Sequence, residues 1–212
     1  MKDASPLIPP RPTIRKLRVV AAGCKACDLW KIGTQTVFGE GKQTSTVMFV
    51  GEQPGDREDL AGRPFVGPAG ALLDKALAEA GIDRAKVYLT NVVKHFKWEP
   101  RGKRRIHKKP NAREIGACRP WLEAEIRVVK PRAIVCLGST AAQAVIGPKF
   151  KVSIQRATFV DSPLAPLVTA TVHPSSILRA PSDEARREET ARFIADLRKI
   201  RKAIEAAAQT GD

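Results

Sequence analysis

The chain has 212 residues, 43% of them hydrophobic, enough to bury a sizeable core as one large domain or two small ones. Its formal charge of +15 favours association with polyanions or anionic membrane surfaces. No apolar run approaches the length of a membrane span, which excludes a spanning helix and leaves a soluble, cytoplasmic, bacterial-type protein as the expectation.

The N-terminal stretch "MKDASPLIPPRPTIRKLR" is Pro-rich and basic, and reads as a flexible or surface-wrapping arm over residues 1–18. The overlapping "LRVVAAGC" ends like a lipoprotein cleavage site, but "IRKLR" stands where the apolar signal core belongs, so that reading fails. A single domain is expected over residues 19–207, with a short tail at 208–212. Four short β-rich runs follow: Val47 to Gly51, Val87 to Val93, Ala133 to Leu137 and Leu167 to Val172. Most are nearly continuous in apolar residues, as in strands buried on both faces. Between the first two, "PAGALLDKALAEAG" places Ala69, Leu72, Leu73, Ala76, Leu77 and Ala80 on a 3.6-residue period, with Gly81 as a stop. Asn111 and Glu114 form a capping pair for a second helix, which Pro120 is expected to kink or restart. Ser139 to Val145 gives a short third helix, and from about Ser182 a last helix carries Phe193, Leu197, Ile200 and Ile204 on one face. Strands alternating with helices imply parallel pairing through right-handed crossovers. The expected fold is α/β, a three-layer α/β/α sandwich around a central four-stranded parallel sheet.

In such sheets the ligand lies beyond the carboxyl ends of the strands. Those ends read "GEQPGD", "TNVVKH", "LGST" and "TVHPSS", which brings Glu52, Gln53, Asn91 and His173 to one edge. Any one of them serves equally well as a capping residue; four together mark a site. A second feature is the charge concentrated between Lys97 and Arg113, eight Lys or Arg against one Glu, a net of 8 − 1 = +7. Such a run is commonly a solvated loop. Within it, "RGKRRIHKKP" holds a histidine, His107, although Lys and Arg grip phosphate better.

Cys24 and Cys27 form a CxxC, while Cys118 falls on the apolar face of the second helix and Cys136 inside the third strand. The last two read equally as buried core thiols. Two close thiolates in a CxxC are suited to one metal, and four thiolates hold either tetrahedral zinc or a [4Fe–4S] cluster. Spacing alone does not choose between them.

Taken together, "GEQPGDREDLAGRPFVGPAG", "LTNVVKH", the cysteines and "HPSSILR" resemble the iron–sulfur class of uracil-DNA glycosylases, from about Cys24 to Arg198. That resemblance implies a [4Fe–4S] cluster on Cys24, Cys27, Cys118 and Cys136. Two departures stand out. Ordinary members read "GEAPG" where this chain reads "GEQPG", and they lack "KRRIHKKP" after the Asn-bearing strand. Both departures are similar to the X-type branch, whose members excise uracil and stay covalently joined to the DNA sugar through the histidine of the basic loop. By motif alignment that histidine is His107.

The chemistry implied is specific. The target base must be flipped out or arrive single-stranded, and single-stranded uracil-containing DNA is the expected partner of a monomeric enzyme working at the nucleoid. Phe65 offers a stacking face and Asn91 a donor and an acceptor for the uracil edge. His173 donates toward the departing base, and the Glu52 carboxylate stabilises the sugar cation or acts as a base. Gln53 carries no charge and positions the loop or the uracil. His107 attacks the sugar in place of water, and neighbouring cations are expected to keep its imidazole neutral. Lys103, Arg104, Arg105, Lys108, Ser175 and Arg179 are expected at DNA, Ser176 at the backbone or the gap left by the base. Asp56 and Asp59 fix a loop, and His95 has no assignable role. Two rivals remain: an ordinary hydrolytic uracil-DNA glycosylase, and a non-catalytic nucleic-acid-binding module with a structural zinc.

Overall fold

A computed structural model describes residues 3–209 of the chain. In chain order the elements are α1 (Ile14–Ala21), β1 (Val47–Gly51), α2 (Asp56–Ala61), α3 (Pro68–Ala80), β2 (Val87–Asn91), β3 (Trp98–Arg101), β4 (Arg104–His107), α4 (Ala112–Val129), β5 (Ala133–Leu137), α5 (Ser139–Val145), α6 (Val152–Gln155), β6 (Leu167–Thr171), α7 (Pro174–Leu178) and α8 (Asp183–Gln209). The central sheet has the order β2-β1-β5-β6, and every pairing is parallel.

Two-residue alternation along each strand splits the core into two layers. Met48 and Val50 of β1, with Ile134 and Cys136 of β5, pack toward Leu17 of α1, Trp121 of α4 and Ala141 of α5. Val47 and Phe49, with Val135 and Leu137, face Leu73 and Leu77 of α3 and Phe193 and Leu197 of α8. The expected three-layer α/β/α sandwich is the observed architecture. Each fully buried Leu, Ile or Phe in these layers contributes roughly 1.5–3 kcal/mol, so both faces of the sheet are held by burial rather than by the backbone ladder alone.

The helix punctuation follows local chemistry. Pro68 opens α3, where its missing N–H costs nothing, and Gly81 closes it at φ 74°. At α4, the Asn111 side chain accepts from the Glu114 N–H (2.9 Å) while Glu114 accepts from the Asn111 N–H (2.7 Å). That helix runs unbroken through Pro120, so the expected restart does not occur. Strands β2 and β6 end at Asn91 and Thr171, short of the expected Val93 and Val172.

Three regions differ more. Residues 14–21, inside and just past the expected arm, form α1, whose Ile14, Leu17 and Ala21 are buried; α1 packs on α4, and the Ala4 N–H donates to the Ala117 carbonyl (3.0 Å). Residues 1–2 of that arm, and 210–212 of the expected tail, lie outside the described residues, while 208 and 209 continue α8. The third difference is the basic run, which is not a loop. Strands β3 and β4 pair antiparallel from Trp98↔His107 to Arg101↔Arg104, leaving Gly102 and Lys103 as a two-residue turn. Gly102 takes φ 59°, a left-handed value that suits a hairpin turn. None of the helices described is long and apolar enough to cross a membrane.

Candidate active site

The parallel register lines up Gly51, Asn91, Leu137 and Thr171 at the carboxyl edge of the sheet. Beyond that edge lies a cavity of about 770 Å³ whose lining includes Glu52, Gln53, Phe65, Asn91, His107 and His173. Residues 52 to 173 in the sequence thus reach one cavity because four strand ends and one hairpin point into it.

Asn91 is buried, at 3% exposure, yet its side-chain amide makes no hydrogen bond to any described residue. The amide is not sealed in the core: it lines the cavity, so its donor and acceptor stay free for a molecule that enters. Gly51 makes room for it: a Cβ at Gly51 would lie 2.3 Å from Asn91 Oδ1 and 2.9 Å from Phe65 Cζ. Phe65 itself has φ 57°, a strained left-handed backbone for a non-glycine residue, of the kind that gathers at functional sites. Gly70 of α3 seats it, since a Cβ there would come within 1.7 Å of the Phe65 carbonyl oxygen. The Phe65 ring stacks on His173, with centroids 6.2 Å apart and planes 26° apart. Between them Phe65 and Asn91 present one flat apolar face and one donor–acceptor edge.

His173 caps α7. Its Nδ1 accepts from the Ser175 N–H at 3.1 Å and lies 2.8 Å from Ser175 Oγ. That places the proton of the neutral ring on Nε2. Burial pushes His173 down to about 4, with Arg179 and His107 adding to the shift. At neutral pH it is therefore an uncharged donor. Ser175, expected at DNA, is engaged with His173, while Arg179 lines the cavity.

His107 closes β4, with Nε2 3.4 Å from Glu52 Oε1. This is longer than a good hydrogen bond, so imidazole and carboxylate stand side by side without a direct bond. Burial is the largest influence on His107 and lowers its basicity; Glu52 opposes this, and Arg179 reinforces it. The neutral ring is thus held by desolvation and by a cation from the end of α7, not by the neighbouring cations of the basic run.

Of the two tasks expected of Gln53, the structure shows the first, positioning the loop. Its Nε2 donates to the carbonyls of Lys97 and Lys108 (both 3.1 Å), and its Oε1 accepts from the Lys97 N–H (3.2 Å). Both amide hydrogens are spent on the two ends of the hairpin, so Gln53 positions the loop and has none left to offer a uracil. Arg105, expected at DNA, turns inward instead. Its Nε donates to Asp56 (2.6 Å) and its Nη1 to the buried Asp59 (2.6 Å) and to Thr34 Oγ1 (3.1 Å). The guanidinium also lies over the Phe96 and Trp98 rings, 5.4 and 5.6 Å from their centroids. Asp56 and Asp59 do fix the loop, through this arginine. Lys103 and Arg104 remain exposed at the hairpin tip. Lys108 pairs with Glu99 at 2.9 Å on the surface, a contact worth little in water.

One contributor was not foreseen from sequence. Glu58 accepts from the Gly67 N–H (2.6 Å) and the Gly55 N–H (3.1 Å), tying the loop after β1 to the segment bearing Phe65. The spacing Gly55 to Glu58 is a capping signal that was available in the sequence. His95 is buried and holds Thr36 through its Nε2 at 3.0 Å, a packing role.

The cysteines lie on the far side of the sheet from α3 and α8. Cys24, Cys118 and Cys136 belong to one buried cluster, with Cys27 packed against it, and all four are free thiols. The Trp121 Nε1–H points at Cys24 Sγ (3.3 Å) and the Lys94 N–H at Cys118 Sγ (3.2 Å). Burial pushes Cys118 up to about 12 and raises Cys136 further; Cys27 is raised less. Among the described residues, no group of three or more His, Cys, Asp or Glu converges as a metal site.

Comparison with known proteins agrees with this geometry. Residues 38–198 match the model of the uracil DNA glycosylase superfamily. The chain is 42% identical over 165 residues to a type-4 uracil-DNA glycosylase of Thermotoga maritima, covering 77% of this chain and 82% of that one. It is 44% identical over 133 residues to a type-4 enzyme of Pyrobaculum aerophilum, covering 63% and 64%. It is 35% identical over 193 residues to one of Sulfurisphaera tokodaii, covering 87% and 84%. The matched span takes in every residue that lines the cavity, from Glu52 to Arg179, and the chain belongs to the uracil DNA glycosylase superfamily.

Proposed function

We propose that this protein excises uracil from DNA and then retains the sugar as a covalent adduct on His107. The observation that carries the excision is the unpartnered amide of Asn91 lining one cavity with the Phe65 ring. The observation that favours capture is His107 bolted beside Glu52 by the Gln53-anchored hairpin.

In this scheme the bond between C1′ and the uracil nitrogen breaks, and its electron pair leaves with the base. The Nε2–H of His173 donates toward the negative charge that develops there. The Glu52 carboxylate stabilises the positive sugar. A ring nitrogen of neutral His107 gives its lone pair to C1′, and the alkylated imidazole releases its remaining N–H proton, which balances the proton taken up by uracil. Single-stranded DNA is the favoured substrate, because no pairing is lost when the base enters the cavity. Lys103 and Arg104 at the hairpin tip meet the phosphates.

The test is denaturing gel electrophoresis after mixing the protein with uracil-containing single-stranded DNA. A protein–DNA band that survives heating in detergent is expected. Free DNA with an abasic site identifies a hydrolytic enzyme instead, and intact DNA rules out excision. The pH profile is a further expectation. Attack requires the unprotonated ring, so adduct formation rises with pH through the His107 value. Because that value is depressed, the rate should hold down to pH values below the ordinary imidazole value of 6.5 before falling. A midpoint at or above 6.5 would contradict the environment described for His107.

The same reading places a [4Fe–4S] cluster on Cys24, Cys27, Cys118 and Cys136. The donor set fits in part: Cys24, Cys27 and Cys118 act on one another electrostatically and N–H groups point at two of the sulfurs, while Cys136 lies inside β5 and feels burial alone. Buried thiols of raised pKa stay protonated unless a bound cation compensates their charge. When bound, the cluster would link the CxxC segment to α4 and β5, a structural part, since breaking a glycosidic bond transfers no electron. Protein purified without air should contain iron and inorganic sulfide in equal amounts. Stoichiometric zinc with no iron would overturn the assignment.

A further inference from the structure

The amide of Asn91 has no side-chain partner of its own, so its aim depends on the backbone that carries it. That backbone ends β2, an outer strand of the sheet. Its inner side is registered against Gly51 of β1. Three residues on, Lys94 folds back beneath it. The Lys94 Nζ donates to the Asn91 carbonyl (2.6 Å), to Thr90 Oγ1 (2.7 Å) and to Glu125 Oε2 (2.6 Å). An ammonium has three N–H groups, and all three are engaged. Glu125, on α4, is satisfied as fully, accepting from Tyr88 Oη (2.9 Å), Thr90 Oγ1 and the Gly39 N–H (3.1 Å). The side chains are 1% and 0% exposed.

A buried ion pair is weak evidence for stability, because apolar residues of the same volume commonly do as well or better. This pair therefore calls for another explanation, and its place gives one. The ammonium clamps the peptide carbonyl of the residue that faces the base, and the carboxylate fixes that ammonium to a long helix. We infer that Lys94 and Glu125 are positioning residues that set the aim of Asn91, an inference that rests on the uracil reading of the cavity.

The test compares the wild type, Lys94→Met and the double variant Lys94→Met/Glu125→Gln. Melting temperature, single-turnover uracil release and the DNA concentration giving half-maximal rate are read for each. Lys94→Met strands a buried carboxylate, so its melting temperature should drop. In the double variant both charges are gone, and the glutamine oxygen still accepts from Gly39 and Tyr88, so melting should recover. Release should stay slow by roughly 100-fold, the scale of a small misplacement of a reacting group, with half-saturation unchanged. Recovery of melting and release together would make the pair merely structural and overturn the inference. If the double variant does not fold, Thr90→Val decides. It is isosteric, removes one of the three acceptors of the ammonium, and should slow release several-fold at unchanged half-saturation; a wild-type rate overturns the inference. Failure of the uracil reading is seen separately, as no release by the wild type.

Discussion

Replacing His107 with Gly should abolish the proposed adduct while uracil is still released. This is the largest effect expected of any single substitution, because it removes the only atom proposed to bond the sugar. The groups proposed to drive departure of the base are elsewhere: Glu52 at the end of β1, Asn91 at the end of β2 and His173 after β6. His107 stands at the exposed end of β4, with half of its side chain open to solvent, so its loss admits water to the sugar without disturbing the core. The variant should turn over and leave an abasic product. Uracil release and the detergent-stable band are measured on the same substrate. An undiminished band assigns the nucleophile to another residue. Loss of both signals makes His107 part of the bond-breaking machinery instead.

Asn91→Ala should reduce excision by roughly 10²–10³-fold, the range for losing one preorganised group that faces developing charge. The side chain lines the cavity and makes no hydrogen bond to a described residue, so shortening it frees no other group and should cost little stability. DNA binding should be nearly unchanged, because phosphate contacts position the strand and base contacts specify it. The paired measurement is single-turnover release against affinity for uracil-free DNA. Normal release would remove Asn91 from the base-facing wall. A parallel loss of affinity would place it among the backbone contacts.

Much of the frame of this site can be read from sequence, because its signals are local. The four apolar runs are strands, and α3 ends at Gly81 where the 3.6-residue pattern ends. The rule that ligands sit at strand carboxyl ends brings Glu52, Asn91 and His173 together without any knowledge of the sheet order. What escapes is non-local or masked by composition. The hairpin is hidden because its strands carry Glu, Pro and Arg where alternating apolar residues usually announce a strand. Helix α1 is hidden by the prolines before it, although Ile14, Leu17 and Ala21 keep helical spacing. The partners of Gln53 and the task of Arg105 are invisible for another reason. Gln53 meets residues 97 and 108, and Arg105 meets residues 56 and 59, contacts with no periodic trace in the chain. A basic residue in a basic run reads as a phosphate contact until the fold shows two carboxylates waiting for it.

The way the hairpin is attached has a consequence for transferring its chemistry. Its tip, Gly102 and Lys103, touches nothing that fixes His107; the hold comes from the Gln53 amide at both ends and from Arg105 seated on Asp56 and Asp59. The histidine and its socket are therefore separable in sequence but joined in the fold. Grafting the basic segment alone onto a relative with alanine at the position of Gln53 would deliver a histidine on an untethered flap. Moving the segment together with Gln53, Asp56 and Asp59 would deliver it docked. The tip, in turn, is the place where a tag or a binding peptide can be inserted while the histidine stays in register with Glu52.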